Sequence, residues 1–278
     1  MNNTPIAFFA YNRPEHTKKA LESLSQCGGA VESELFIFCD GSKKPEDEEN
    51  VKAVRILVKS KKWCGKVNII ERDKNRGLAN SIISGVTEIV NRYGRIIVLE
   101  DDLVLSPEFL NYMNDALEIY ENEPRVMHIA GYTPPLKGNL PETLFYRLST
   151  CWGWATWKRA WEKFEPDVNK LLARLKNKKI QSDFNINGSM NFYQTLRDNA
   201  KGRLKTWAIH WYASVFLSGG LCLHPGMSMV NNIGHDGTGM HCGKTDVFDV
   251  IVERHRITEF TSDISECGDV VNMMTDFY

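Results

Sequence analysis

The sequence predicts an α/β fold in which helices flank a mostly parallel central sheet. Up to about residue 130, short apolar runs alternate with amphipathic stretches, a pattern typical of successive β–α–β units. Several apolar runs end directly in polar or acidic residues, and the loops at the carboxyl ends of parallel strands are where such folds bind ligands. The chain of 278 residues is long enough to bury the core that this architecture needs.

Hydrophobic periodicity predicts the elements of the first half. Apolar runs of four or five residues predict strands at 6–10, 35–39, 67–70, 96–99 and 126–130. Amphipathic stretches predict helices at 15–24, 46–59, 78–90 and 107–120. The order strand, helix, strand therefore persists as far as residue 130.

The pattern changes after about Gly131. Four turn-forming residues predict an irregular loop: Pro134, Pro135, Gly138 and Pro141. Further helices are predicted at 192–200 and 210–217. The sequence shows no internal repeat and no low-complexity linker, so a single domain, 1–278, with unequal halves, 1–130 and 131–278, is the simplest organisation.

Composition excludes several classes of protein. The net charge of −1 lacks the basic excess of a dedicated nucleic-acid binder. No apolar run reaches the roughly 18 residues of a membrane-spanning helix, and the first residues do not form a secretory signal. The seven cysteines include no C-x-x-C pair, which indicates neither a zinc knuckle nor a disulfide framework. We therefore expect a cytoplasmic protein.

The stretch RIIVLEDDLVLSP, 95–107, is the most informative part of the chain. Its buried strand runs into three consecutive acids: Glu100, Asp101 and Asp102. Adjacent carboxylates repel one another unless a cation or a donor-rich ligand holds them together. A solvated turn is the simpler interpretation, but Ser106 and Pro107 are placed to begin the next helix, too far downstream for the acids to serve its N-terminus. We therefore predict a metal or sugar-nucleotide site.

Polar residues also follow the first two predicted strands, with Asn12 and Arg13 after the first and Asp40 after the second. Parallel strands bring their carboxyl ends to one edge, so these residues converge with the acids on one crevice. The sequence has no P-loop and no G-x-G-x-x-G after its first strand. Phosphate would then be bound by a carboxylate-held divalent cation and by Arg76. Asp40 is placed to accept the imide N–H of uracil or thymine.

The stretch CWGWATWKRAW, 151–161, contains four of the seven tryptophans and leaves two interpretations open. Trp154, Trp157 and Trp161 lie at helical spacing and suit one buried stripe. The alternative is an apolar platform on which a sugar ring stacks.

A basic run near the middle of the chain also has two interpretations. It consists of Arg174, Lys176, Lys178 and Lys179. Such runs are most often a solvated helix face. The second interpretation is contact with anionic lipid headgroups or with a pyrophosphate-linked acceptor.

Six stretches in order carry a family resemblance: PIAFFAYNRPE, FIFCDGSK, DKNRGLANSI, VLEDDLVLSPEFL, CWGWATWKRAW and CLHPGMSMVNNIG. Together they resemble the GT-A-fold glycosyltransferases of the bacterial family 2 type, over most of the chain. The second half also resembles the eukaryotic N-acetylglucosaminyltransferase I group, through the acidic triplet, the Gly153–Trp154 stretch and the segment 222–234. The implied fold is a Rossmann-like GT-A sheet, with 1–130 binding the nucleotide-sugar and 131–278 binding the acceptor.

The resemblance also implies roles for individual residues. Those placed against the nucleotide-sugar are Tyr11, Asn12, Arg13, Asp40 at the base, Arg76 near the phosphates, Glu100 and Asp101. Asp102 would coordinate Mn²⁺ or Mg²⁺, with His241 as a further metal ligand. Trp152 and Trp154, on a helix from 152 to 161, would form the acceptor wall, and the loop 231–242 would close over the donor.

The implied reaction is a metal-dependent, inverting transfer from a nucleoside diphosphate sugar, with UDP-sugar as the expected donor, to a saccharide or glycolipid hydroxyl. The N-acetylglucosaminyltransferase I group has an aspartate where this chain has Ala208 and Ile209 after Trp207. Four other residues are candidates for the catalytic base: Asp236, His235, His210 and Asp198. Asp236 is preferred because it lies in the closing loop.

Two rival functions stay open. A sugar nucleotidyltransferase would carry a Gly-rich basic phosphate loop after the first strand, which YNRPEH does not match. A catalytically silent carbohydrate-binding scaffold is favoured by the missing aspartate but not by the adjacent acids. By resemblance, the setting is the assembly of a bacterial surface polysaccharide or glycolipid, with the protein in the cytoplasm or peripheral to the inner face of the membrane.

Overall fold

The computed structural model describes residues 3–238 and 243–278. Ten strands are present in this part of the chain: β1 Ile6–Ala10, β2 Glu34–Cys39, β3 Lys66–Glu71, β4 Arg95–Glu100, β5 Leu103–Leu105, β6 Val126–Ala130, β7 Thr143–Tyr146, β8 Trp154–Trp157, β9 Leu221–Pro225 and β10 Val230–Asn232. The helices are α1 Pro14–Ser25, α2 Glu48–Lys59, α3 Leu78–Tyr93, α4 Phe109–Ile119, α5 Lys158–Trp161, α6 Val168–Arg174, α7 Lys178–Phe184, α8 Phe192–Ala200, α9 Ala208–Leu217 and α10 Gly268–Phe277.

Eight strands form the central sheet, in the order β3-β2-β1-β4-β8-β6-β9-β7. Strands β3, β2, β1 and β4 are parallel neighbours, and β6 and β9 also pair in parallel. Strands β8 and β7 run antiparallel to their neighbours. The sheet is therefore mostly parallel, which confirms the predicted α/β class, and strands from both halves of the chain lie in it.

All five predicted strands are present, with ends that differ by one residue at most from the expected ones. The predicted helices also form, although α4 begins at Phe109, two residues later than expected. The expectation of a helix at 152–161 is wrong. Trp154–Trp157 is instead a strand, because the antiparallel partners β4 and β6 bury it from both sides, and only a short helix, α5, follows.

Two layers of apolar side chains cover the faces of the sheet. One contains Phe8 and Ile37 and packs against α1, α2 and α4, while the other contains Phe9 and Phe38 and packs against α3 and α9. Residues that alternate along each strand therefore face opposite layers. A third cluster lies between β7 and the helices α6 to α10, which keeps the second half attached to the sheet edge.

No helix within the described residues is both long and apolar enough to cross a membrane.

Candidate active site

One pocket lies at the carboxyl ends of β1, β2 and β4. The parallel pairing of β1 with both β2 and β4 brings these ends together. Its lining includes eight residues predicted from sequence: Tyr11, Asn12, Arg13, Asp40, Glu100, Asp101, Asp102 and Trp152. The first turn of α3 also borders it through Gly77, Leu78 and Ser81. The sheet therefore gathers these polar residues as the alternating pattern predicted.

Arg13, after β1, pairs with two acids of the triplet at the end of the neighbouring strand β4. Its Nη2 atom donates a hydrogen bond to Asp101 Oδ1 and, at 2.8 Å, another to Asp102 Oδ2. Asp101 is 4% exposed and also accepts a hydrogen bond from the Tyr11 backbone N–H at 3.3 Å. One guanidinium thus holds two adjacent carboxylates, and its positive charge offsets the repulsion between them.

Glu100 lies beside this pair without the same compensation. Burial, reinforced by the charges of Asp102 and Asp101, raises the pKa of Glu100 to about 8, while Arg13 opposes the shift. Burial also raises the pKa of Asp101 above its ordinary value, although Arg13 works against it. The pocket therefore favours a protonated Glu100 near neutral pH, and a protonated carboxyl can donate a hydrogen bond.

The turn after β10 closes over Asp102. Strand β10 pairs with β5 directly after the acids, and the Ile233 N–H donates to the Asp102 carbonyl at 2.9 Å. Gly234 lies so close that a Cβ atom there would collide with Asp102 Oδ2. The next residue, His235, packs its ring between Trp152 and Phe248, with ring centroids 5.1 and 5.3 Å away.

His235 is the clearest unused polar group near the acids. Both of its ring nitrogens are buried, and neither has a hydrogen-bond partner among the described residues. A buried polar atom without a partner is costly, so a ligand or ion at this position would stabilise it. The sequence prediction named His235 only as a candidate base. His241, the predicted metal ligand, lies outside the described residues.

Asp40 is engaged by the backbone. Its two carboxylate oxygens accept hydrogen bonds from the N–H groups of Gly41, Arg76 and Gly77 at 2.9–3.0 Å. Asp40 therefore fixes the turn that leads into α3. A carboxylate has about four acceptor positions, and the three backbone N–H groups already make four contacts with Asp40. Little capacity is left to accept a hydrogen bond from a nucleobase imide. Its predicted contact with the base stays a prediction.

A hydrogen-bond network that the sequence analysis missed fixes the loop after β1. The Tyr11 hydroxyl donates to Asp47 Oδ2 at 2.8 Å and accepts from the Lys43 N–H, also at 2.8 Å. Asn12 Nδ2 donates to Asp47 Oδ1 at 2.9 Å. Burial and the bond to Asp47 raise the pKa of Tyr11 to about 12. Asp47 looked in the sequence like an ordinary acid at a helix start, so no signal distinguished it.

Two other predicted residues, Arg76 and Trp154, do not line the pocket. Arg76 is exposed, although its backbone N–H bonds to Asp40. Trp154 is fully buried in the sheet core, where it stacks on His128 and Trp207, so its predicted place on the acceptor wall is wrong.

Asp236 lies at the rim of the site. Its carboxylate is 44% exposed, contacts His16 Nε2 at 3.2 Å, and accepts hydrogen bonds from the Thr238 N–H and hydroxyl. These bonds to Thr238 lower its pKa. A lowered pKa makes a carboxylate a weaker base. Its assignment as the catalytic base stays a prediction.

The residues present offer a partial set of metal ligands. Within 3–238 and 243–278, no three or more His, Cys, Asp and Glu side chains are grouped to hold an ion. Asp102 supplies a carboxylate, and His235, which directly follows the Gly234 packed against Asp102, supplies an imidazole whose nitrogens have no partner among the described residues. Carboxylate oxygen suits Mg²⁺ and Mn²⁺, and imidazole is a common ligand of transition metals. The chemistry of these donors therefore fits a divalent cation.

Several solved structures are similar to this chain. A crystal structure of S. aureus TarS matches with 14% identity and a TM-score of 0.36, covering 51% of this chain and 24% of that one. TarS 1-349 matches with 11% identity and a TM-score of 0.46, covering 84% and 61%. The mannosyltransferase PcManGT from Pyrobaculum calidifontis, in complex with GDP-Man and Mn²⁺, matches with 9% identity and a TM-score of 0.44, covering 79% and 70%. The chain thus spans about a quarter of the first TarS chain.

Among curated proteins, no sequence matches the chain. The family model described as "Glycosyl transferase family 2" matches residues 6–180, which is more than half of the chain and includes β1 to β4, the acidic triplet and Trp152. The chain belongs to glycosyl transferase family 2.

Proposed function

We propose that this chain transfers a glycosyl group from a nucleoside diphosphate sugar, with UDP-sugar as the expected donor, to a hydroxyl of a saccharide or glycolipid. One observation carries the proposal. Arg13, Asp101 and Asp102 are gathered at the strand ends of a pocket, in a chain that belongs to a glycosyltransferase family. Such an edge of an open α/β sheet is a binding site for nucleotides.

The donor would lie across the strand ends. Tyr11 lines the pocket and its hydroxyl is held by Asp47, so its side chain is fixed in place and would contact the base. Asp101 would bind the ribose and donor sugar, and Glu100 would hydrogen-bond to the sugar. Arg13 carries the positive charge nearest to the acids and would contact the diphosphate once the donor enters.

A divalent cation held by Asp102 and His235, with His241 as the other expected ligand, would neutralise negative charge on the leaving diphosphate. Asp102 is suited to this role because its side chain is 15% exposed and reaches the pocket. His235 is suited because its nitrogens have no partner among the described residues.

The proposed reaction is a single inverting displacement. The acceptor oxygen forms a bond to the anomeric carbon as the bond to the nucleoside diphosphate breaks, and the diphosphate leaves with the electron pair. A base takes the proton of the acceptor hydroxyl. Trp152 borders the pocket and would hold the acceptor ring. Asp236 is the proposed base, because it accepts hydrogen bonds from Thr238, which lines the pocket. Of the other candidates, His235 is assigned to the cation, and His210 and Asp198 do not line the pocket.

The setting that we propose is the assembly of a bacterial surface polysaccharide or glycolipid by a cytoplasmic enzyme. This follows from the family resemblance of the sequence. The narrower resemblance to the N-acetylglucosaminyltransferase I group stays a hypothesis about the second half of the chain.

Calorimetric titration with UDP, with and without Mn²⁺, tests the proposal on the native chain and on Asp102→Ala. We expect binding that strengthens with Mn²⁺ and that weakens at least tenfold in the variant. Asp263→Ala, at an exposed acid outside the pocket, is the matched control and should bind like the native chain. GDP, CMP and dTDP in the same assay identify the preferred base.

The proposal fails if the folded chain binds none of these nucleotides under either condition. Binding of UDP without slow hydrolysis of any UDP-sugar would instead favour the silent scaffold. Metal-independent binding would retain the donor site but remove the proposed metal.

A further inference from the structure

A group of short helices in the second half carries a large excess of positive charge, although the protein as a whole is slightly negative. The segment 167–206, which contains α6, α7 and α8, has nine Lys and Arg but three Asp, a formal charge of +6. The whole chain has a net charge of −1, so the remaining residues carry −7. We call this segment the basic helical unit. Such separation of charge creates a field that orients the molecule on a charged surface.

The positive charges of the basic helical unit are exposed and mostly unpaired. All nine Lys and Arg side chains belong to exposed residues. In the described part of the chain, two of the nine form ion pairs, Lys170 with Glu165 and Arg203 with Asp198, both at 3.4 Å. The other seven are Arg174, Lys176, Lys178, Lys179, Arg197, Lys201 and Lys205. Arg174 donates a hydrogen bond to the Leu217 carbonyl at 2.6 Å, and the charges of the other six contribute little to holding the fold together.

The unit is nevertheless firmly attached to the rest of the protein. Leu171, Leu175, Phe184 and Leu196 are buried in the third apolar cluster, together with residues of β7 and α9. Arg147, next to β7, donates to the Asp183 carbonyl at 3.2 Å and forms a two-fold ion pair with Glu266. An attractive force on the unit would therefore act on the whole enzyme.

The surface of the unit suits a bilayer better than a nucleic acid. Recognition of single-stranded nucleic acid uses exposed aromatic rings for base stacking. Here Phe184 stacks on Tyr212, and Phe192 packs edge-on against both rings inside the apolar cluster. Between the cations, Ile180 and Leu204 expose 37% and 36% of their surface. Apolar side chains among lysines can enter the interface of a bilayer, while the lysines pair with its anionic headgroups.

We propose that the basic helical unit docks this protein on a bilayer that contains anionic lipids. The headgroup phosphates of the bilayer attract the unit and repel the rest of the chain, which carries a formal charge of −7. The protein therefore binds in one preferred orientation. The basic helical unit binds the bilayer whether or not donor and acceptor are bound in the pocket. It would bring a glycosyltransferase to lipid-linked acceptors, and that consequence rests on the proposed function.

Co-sedimentation with vesicles tests the docking surface. The probes are phosphatidylcholine vesicles with and without a large share of phosphatidylglycerol, at low and at high salt. The test variant is Lys176→Glu/Lys178→Glu/Lys179→Glu. Lys178 and Lys179 are the first residues of α7, where glutamate complements the helix dipole, so the variant should fold. The matched control is Lys18→Glu/Lys19→Glu/Lys62→Glu, with the same charge change at exposed lysines outside the unit.

We expect binding to anionic vesicles that is lost at high salt, where screening shortens the reach of charges, and no binding to neutral vesicles. The test variant should bind more than about tenfold more weakly, and the control should bind like the native chain. Equal weakening in both variants, or equal binding to neutral vesicles, overturns the proposal. Binding to inorganic polyphosphate without binding to vesicles overturns it in favour of a soluble polyanion. Circular dichroism confirms that each variant is folded.

Discussion

Two regions of the molecule bury polar groups in contrasting ways. At the pocket, Arg13, Asp101 and Asp102 form a charged cluster at the ends of strands. Inside the sheet, His128 accepts a hydrogen bond from Trp211 and contacts the Thr150 carbonyl at 2.9 Å, so it is held without charge. The pocket therefore places charged side chains where a ligand can contact them, while the polar atoms of the interior hydrogen-bond to one another and stabilise the fold.

The two regions also respond to pH in opposite directions. Burial raises the pKa of Glu100 to about 8, so the folded protein keeps a proton that the unfolded chain has lost, and this group favours unfolding as the pH rises. Burial lowers the pKa of His128 to about 3 and that of His224 to about 4. The unfolded chain takes up protons that these rings cannot, so they favour unfolding as the pH falls below about 6.5.

The largest expected effect separates two tryptophans that are two residues apart. Trp154 is fully buried and contacts four other aromatic rings, whereas Trp152 borders the pocket. We expect Trp154→Ala to lower the free energy of unfolding by about 3–5 kcal/mol. Trp152→Ala should cost less stability and instead weaken binding of the acceptor or donor. Urea unfolding and calorimetry measure the two effects, and equal loss of stability in both variants would contradict the comparison.

The next effect tests the charged cluster. Arg13→Met leaves two adjacent, mostly buried carboxylates without their shared guanidinium. We expect the free energy of unfolding to fall by about 2–3 kcal/mol, less than for a fully buried pair because the Arg13 side chain is 20% exposed. The double variant Arg13→Met/Asp101→Asn should recover part of this loss, because one of the two charges is removed. An Arg13→Met protein as stable as the native chain would show that the cluster is not held by Arg13.

A smaller effect concerns the interior histidines. Because burial lowers their pKa values, His128 and His224 should stay neutral in the folded protein throughout pH 5–8. Nuclear magnetic resonance of the imidazole groups measures this directly. In urea the same resonances should titrate near 6.5, the value of an unperturbed histidine. Titration of either ring above pH 5 in the folded state would contradict the structure at β6 or β9.

The smallest expected effect on stability is at the rim. Asp236→Asn should change the free energy of unfolding by less than about 0.5 kcal/mol, since the carboxylate is 44% exposed. If Asp236 is the base, turnover of the preferred donor should fall by about two to four orders of magnitude while UDP binding persists. Full turnover in this variant removes Asp236 from the reaction.

The donor side of the molecule could be predicted because its residues follow a local rule. The apolar runs predict the strands, and the polar residues that follow them predict the edge of the sheet where the strands end. These residues are Arg13, Asp40 and the acids at 100–102. A parallel sheet then has one way to bring these ends together. The sequence alone therefore determined the α/β class, the order of strands and helices as far as residue 130, and all but one of the charged residues that line the pocket.

Tertiary structure decided what those residues contact. Asp47 supports the site because Tyr11 and Asn12 hydrogen-bond to it across a loop. The turn that contains Gly234 packs against Asp102 because β10 pairs with β5. Trp154 became part of a strand because β4 and β6 enclose it, which overrides its helical spacing. Periodicity is a property of neighbours in sequence. These contacts join residues far apart in the chain, so only packing of the whole fold selects them.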